Sequence, residues 1–172
     1  MKHRGVVGAC IAGLILLCAP TVRAQPAEGT ITEKGIQGFF NLNCPYQASL
    51  EKLQAKYINL PAPASAQGEA GSRTLDFLQL GLRLRVDDAG KIREITVLAP
   101  EAILSGRPPI PLVTEKKIKV GDSHNYLASQ YPDHPKVVGE TYYYGAIGFE
   151  ISAQNHVAAI VLSGSGGGRC GD

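Results

Sequence analysis

Leu82-Arg83-Leu84-Arg85-Val86-Asp87-Asp88-Ala89-Gly90-Lys91-Ile92-Arg93-Glu94-Ile95-Thr96-Val97-Leu98 aligns without gaps on Ile147 to Ser163. At this offset of 65 residues Leu84 meets Phe149, Val86 meets Ile151, Ile92 meets Val157, Ile95 meets Ile160 and Val97 meets Leu162. Apolar meets apolar at each. Upstream, Thr32-Glu33-Lys34-Gly35-Ile36 recurs as Thr114-Glu115-Lys116-Lys117-Ile118 at an offset of 82, so the first copy carries about 17 extra residues. They fall largely in Pro61 to Arg73, whose Pro, Ala, Ser and Gly content reads as an exposed loop.

Each copy changes from helical to strand-like periodicity in the same order. Tyr46, Leu50, Leu53 and Tyr57 form a helical stripe beginning near Pro45, and Tyr126, Leu127 and Tyr131 form a second one, capped by Asp122 or Ser123 and stopped by Pro132. Alternation follows: Leu78, Leu80, Leu82, Leu84 and Val86 against Gln79, Gly81, Arg83, Arg85 and Asp87, the pattern of a sheet buried on one face. Asp87-Asp88-Ala89-Gly90 turns the chain into a strand over Ile92 to Leu98. In the second copy the strand runs from Tyr142 to Ile151, turns at Ala153-Gln154-Asn155 and returns as Val157 to Leu162.

The expected fold is therefore α+β: two tandem copies of a short helix followed by an antiparallel meander, with one face of each sheet covered by helices. Residues 25–100 form the first copy and 114–163 the second; 101–113 are a linker stiffened by Pro108, Pro109 and Pro111, and 164–172 a Gly-rich tail. An extended start ending in Gly121-Asp122-Ser123, a short helix, a Tyr-rich strand, the Gly148-Phe149 strand and a last strand ending Ile160-Val161-Leu162 together give a pattern that resembles small periplasmic modules. These are typified by the β-lactamase-inhibitor protein fold and the outer-membrane assembly lipoprotein domain. The resemblance covers most of residues 31–162 and implies binding of proteins through an exposed sheet face, without catalysis. Inhibitor-like members carry a disulfide within each copy, whereas each half here has one cysteine, and the first copy lacks the Gly-Asp-Ser start.

Residues 1–24 read as a signal peptide: basic Lys2, His3 and Arg4, an apolar run from Gly5 to Cys18, and Val22-Arg23-Ala24 shaped for cleavage. The run has 14 residues and stops before Pro20, short of the roughly 20 a spanning helix needs. The expected product is a periplasmic or secreted bacterial protein with no membrane span. Cleavage removes three of the 17 bases, leaving 14 against 15 acids, and a net charge of −1 gives no bulk attraction for nucleic acid. With 44% apolar and 19% charged residues in its 172, the chain is suited to a packed core and too apolar for disorder.

Cys10 and Cys18 leave with the signal. The remaining Cys44 and Cys170, in an oxidising compartment, are expected to pair; the other reading of Cys44 is a nucleophile with a histidine partner. Ser123, in Gly121-Asp122-Ser123, is the second candidate nucleophile of a small exported hydrolase, but no Asp-x-x-His follows it and no base is assignable. Ser49-Leu50-Glu51-Lys52 matches a Ser-x-x-Lys motif without its companion motifs. His124, His134 and His156 lack helical i, i+4 spacing, so no metal or cofactor is expected. The Gly164 to Arg169 run lacks the Gly-Lys-Ser/Thr of a phosphate loop.

Surface chemistry remains. Continued alternation places Tyr143 inward with Ile147, Phe149 and Ile151, leaving Tyr142 and Tyr144 outward with Glu150; the equivalent face of the first half carries Gln79, Arg83 and Arg85. Tyr and Arg anchor interfaces because each combines large contact area with a polar tip. The expected function is a noncatalytic binding or inhibitor-like module that grips another exported or cell-envelope protein through Tyr142, Tyr144, Arg83 and Arg85. A structural component of the envelope is the further alternative.

Overall fold

A computed structural model describes residues 29–56, 60–68, 71–99, 112–164 and 170. The expected signal peptide, most of the expected linker and most of the tail lie outside them. In chain order the elements are β1 (Thr30–Thr32), β2 (Gly35–Ile36), β3 (Phe40–Asn41), α1 (Tyr46–Lys56), β4 (Ala64–Gln67), β5 (Arg73–Phe77), β6 (Leu82–Val86) and β7 (Ile92–Leu98). Then follow β8 (Val113–Thr114), α2 (His124–Gln130), β9 (Lys136–Val138), β10 (Thr141–Tyr144), β11 (Ile147–Ile151) and β12 (Val157–Ser163).

Eight strands form one antiparallel sheet in the order β4-β5-β6-β7-β12-β11-β10-β9, and β3-β2-β1-β8 form a second, smaller one. The residues aligned at offset 65 have the same pairings. Leu84 pairs with Ile95 as Phe149 pairs with Ile160, and the register shift falls between Arg85 and Val86 in one hairpin and between Glu150 and Ile151 in the other. The hairpins meet along β7 and β12, where Ile95 faces Leu162, Thr96 faces Val161 and Val97 faces Ile160. A shift of 65 exchanges the outer two pairs, so a local two-fold passes through Thr96 and Val161.

The approach to each helix is tied down alike. The Asn43 N–H donates to Ile92 O at 2.7 Å, and the Gly121 N–H donates to Val157 O at 2.8 Å. Tyr46 N–H reaches Gly90 O and His124 N–H reaches Asn155 O, both at 3.0 Å. Asn43 and Gly121 have φ of 62° and 95°, a left-handed conformation that favours Gly and, among other residues, Asn.

Several expectations are corrected. The protein is mostly β, with two sheets and two short helices among the described residues, and is not two tandem helix-plus-meander units. The large sheet fuses strands from both halves, and β1 pairs in parallel with β8, through Thr30 with Val113 and Ile31 with Thr114. Val113, the last residue of the expected linker, is thus already sheet. Within the expected loop of Pro61 to Arg73 lies β4, which pairs with β5 from Ala64↔Asp76 to Gln67↔Arg73. The expected single strand of Leu78 to Val86 instead starts at Leu82, because Leu78–Leu80 form a 3-10 turn closed by Gly81 at φ 63°.

One core lies between the sheets and helices. Ile31, Ile36 and Phe40 of the small sheet, Leu53 of α1 and Leu127 of α2 are buried with Leu82, Leu84, Ile95, Phe149, Ile160 and Leu162 of the large sheet. Phe40 and Phe77 meet across the layers with ring centroids 5.3 Å apart. Burial of each such side chain contributes roughly 1.5–3 kcal/mol, which fixes the inner face. Tyr126 of the expected α2 stripe is instead 41% exposed. Ser123 caps α2, its Oγ accepting the Tyr126 N–H at 3.2 Å. Ser123→Ala is expected to destabilise the protein by about 1 kcal/mol, read as a lower urea midpoint with an unchanged slope.

Candidate functional site

Pairing registers identify the two faces of the large sheet. Across the inner face runs the row Phe77, Leu82, Val97, Ile160, Phe149, Tyr142 and Val137; across the outer face runs Asp76, Arg83, Thr96, Val161, Gly148, Tyr143 and Lys136. The helices and small sheet pack on the first.

Arg83 and Arg85 stand on the outer face as expected, with side chains 48% and 52% exposed. Arg83 Nε donates to Asp76 Oδ1 at 2.7 Å and Nη2 to Asp76 Oδ2 at 3.2 Å, a two-point grip. Arg85 Nη2 donates to Glu94 Oε2 at 3.0 Å. The hydrogen bonds and charge of Asp76 hold the Arg83 guanidinium even more firmly protonated than usual. Such solvent-exposed pairs contribute about 0–1 kcal/mol to stability, so they order the arginines more than they hold the fold.

Tyr142 and Tyr144 do not join them. Gly145, at φ 66°, and Ala146 make a two-residue turn that sets Tyr144 opposite Ile147 and Tyr142 opposite Phe149. Even-numbered residues of β10 therefore share a face with odd-numbered residues of β11, and alternation continued through the turn assigns the wrong side. The Tyr144 ring lies 4.9 Å from that of Tyr131 and 6.0 Å from that of Phe149, and Tyr142 lies 5.3 Å from His124. Burial pushes the hydroxyls of both Tyr131 and Tyr144 above the ordinary tyrosine range. Lys116 Nζ sits 4.2 Å from the Tyr131 ring centre and donates to Gln130 O at 3.0 Å, closing this cluster.

The outer-face tyrosine is Tyr143. Its ring covers Gly148: a Cβ there would lie 2.8 Å from Tyr143 Cε1 and 2.7 Å from Thr141 Cγ2. Recognising Gly145-Ala146 as a hairpin turn was the one signal that could have found it.

The candidate nucleophiles are otherwise occupied. Cys44 and Cys170 form a disulfide with Cα atoms 5.4 Å apart, so Cys44 offers no thiolate. Ser123 faces His156 across an isolated bridge, but its Oγ is the helix cap, and His156 Nδ1 lies 3.1 Å from Gly121 O. His124 Nδ1 lies 3.2 Å from Asn155 Oδ1. His134 is exposed in the segment after α2, and Ser49 and Lys52 lie on α1. Among the described residues no group of three His, Cys, Asp or Glu is placed to hold a metal ion, and no helix is long and apolar enough to cross a membrane. No family model, curated protein or solved structure matches this chain.

Proposed function

We propose that the protein is an exported, noncatalytic binding module that meets another exported or cell-envelope protein through the outer face of its large sheet. The observation that carries this reading is the asymmetry of that sheet: the inner face supplies the core, while the outer face presents Arg83 and Arg85, oriented by Asp76 and Glu94, with Tyr143 in the same row as Arg83. Arginines already held by carboxylates lose less side-chain entropy on binding, which favours them as anchors. The signal-like start ending at Val22-Arg23-Ala24 and the disulfide support export to a bacterial periplasm or beyond. The periplasmic modules that the sequence resembles act by sheet-face contact. The cap role of Ser123 and the bonded state of Cys44 favour contact over bond-making.

The test is Arg83→Glu with Arg85→Glu, compared with wild type as bait in a periplasmic extract. Both sites are exposed, so unfolding temperatures should agree within a few degrees. A partner held by wild type and released at least tenfold more readily by the double variant supports the reading; equal retention places the contact elsewhere. Tyr142 and Tyr144 are unsuitable for this test, because removing Tyr144 opens the core cluster.

A further inference from the structure

The large sheet ends at β4, whose four residues Ala64, Ser65, Ala66 and Gln67 are all exposed. We infer that this edge docks an extended segment of a partner protein, its main chain pairing with β4 and one uncharged apolar side chain filling the cavity beside Ala64. The site lies at the edge of the sheet and shares Asp76 with the outer face, but the inference does not depend on the outer-face reading.

Three observations converge. Among the described residues β4 pairs on one side only, with β5; the other row of N–H and C=O groups suits one more extended chain. Proteins usually blunt such edges with lysine, proline or very short strands. The opposite edge is blunted by charge and length: β9 has three residues and begins with Lys136. β4 also follows a proline, Pro63, but its four residues carry no charge, its pairing with β5 has no register shift, and its small side chains leave the approach open.

A cavity of about 200 Å³ lies at the start of this edge, with apolar walls from Leu60, Pro61, Ala64, Phe77 and Leu78 and with Asp76 and Gln79 as its polar members. Ligand sites for drug-sized molecules run from about 300 Å³ upward, whereas a cavity of roughly 150 Å³ accepts benzene. The space therefore fits one aromatic or branched aliphatic side chain. Leu78 at its wall is 43% exposed, a large apolar group left in water.

Charge defines the occupant further. The carboxylate at the cavity, Asp76, is already neutralised by Arg83 through two hydrogen bonds. A cationic group entering there would have to compete with that pair, so the cavity suits an uncharged group. Main-chain pairing along an edge with a side-chain pocket beside it is the recognised means by which a sheet reads an extended peptide.

The test uses the full chain, isotope-labelled for NMR, and the blocked peptide Phe-Thr-Val-Thr-Val together with its Gly-Thr-Val-Thr-Val analogue. The phenylalanine peptide is expected to shift the signals of residues 64–67, Phe77 and Leu78 and to bind at least tenfold more tightly than the analogue. Ala64→Trp, which fills the cavity from an exposed position, should abolish that difference, and Leu78→Gln should reduce it. Arg85→Glu, whose partner Glu94 lies away from the cavity, should leave the difference in place, which separates this site from the arginine-bearing outer face. Equal binding of the two peptides, or shifts confined to other strands, overturns the inference. So does a concentration-dependent dimer broken by Ala64→Trp, since a second copy would then own the edge.

Discussion

Cys170→Ser is expected to lower the unfolding free energy by about 4–5 kcal/mol, the chain-entropy value for a loop of this size. The disulfide joins residues 126 apart in sequence, and its Cys44 end is held by native contacts as well. Asn43, beside Cys44, donates its backbone N–H to Ile92 O at 2.7 Å, accepts from Arg93 Nη1 at 2.7 Å and reaches Gly164 O at 3.4 Å. Arg93 also grips Asp87, whose carboxyl is held below the usual carboxylate range by the Lys91 backbone N–H and by Arg93. Loss of the crosslink therefore leaves the native neighbourhood in place and acts chiefly by freeing the unfolded chain. Cys170 is the better position to change: Cys44 is 3% exposed and its replacement adds a packing loss. With a urea slope near 2 kcal/mol/M, the midpoint should fall by roughly 2 M, and adding reductant to wild type should reproduce the shift. An unchanged midpoint would mean that the bond constrains nothing that the unfolded chain explores.

The parts of this architecture that could be read from residues are those where burial repeats along a strand. Leu84 and Phe149, Ile95 and Ile160, Val97 and Leu162 were matched by side-chain type alone, and all six are buried in one face with coinciding registers. The cysteine count points to Cys44 with Cys170 because the expected signal cleavage would leave no other pair. What escaped had no periodic signal to give. The small sheet has strands of two or three residues, too short for an alternation to be counted. Strand β4 is Ala-Ser-Ala-Gln, exposed along its whole length, so composition alone reads it as loop. The misplaced face of Tyr142 and Tyr144 has a different cause: a hairpin turn of two residues inverts which parity points inward, and an unbroken alternation hides it. The same inversion acts between β5 and β6, where odd-numbered Phe77 pairs with even-numbered Leu82. The outward placement of Arg83 and Arg85 is legible in the sequence because those residues sit within one uninterrupted strand.

Phe149→Ala is expected to cost about 3–5 kcal/mol, as for other fully buried aromatic residues. Its ring is inaccessible to solvent and lies 5.4 Å from Tyr131 and 6.0 Å from Tyr144, with Ile160 and Tyr142 as neighbours on the flanking strands. Deleting it removes apolar contact and leaves a void that α2 and β10 would have to close together, which Pro132 and the tight Gly145-Ala146 turn restrict. At about 2–4 °C per kcal/mol for a chain of this length, the unfolding temperature should drop by roughly 6–20 °C. The same experiment tests the face assignment if Tyr144→Ala and Tyr143→Ala are measured beside it. Tyr144 closes the ring cluster and should be the costlier to remove, whereas Tyr143 lies over Gly148 on the outer face and should cost about 1 kcal/mol or less, as other substitutions away from the core do. The reverse ranking would put Tyr143 inside and Tyr144 outside. It would thereby restore the unbroken alternation and move the aromatic part of the proposed contact surface back to Tyr142 and Tyr144.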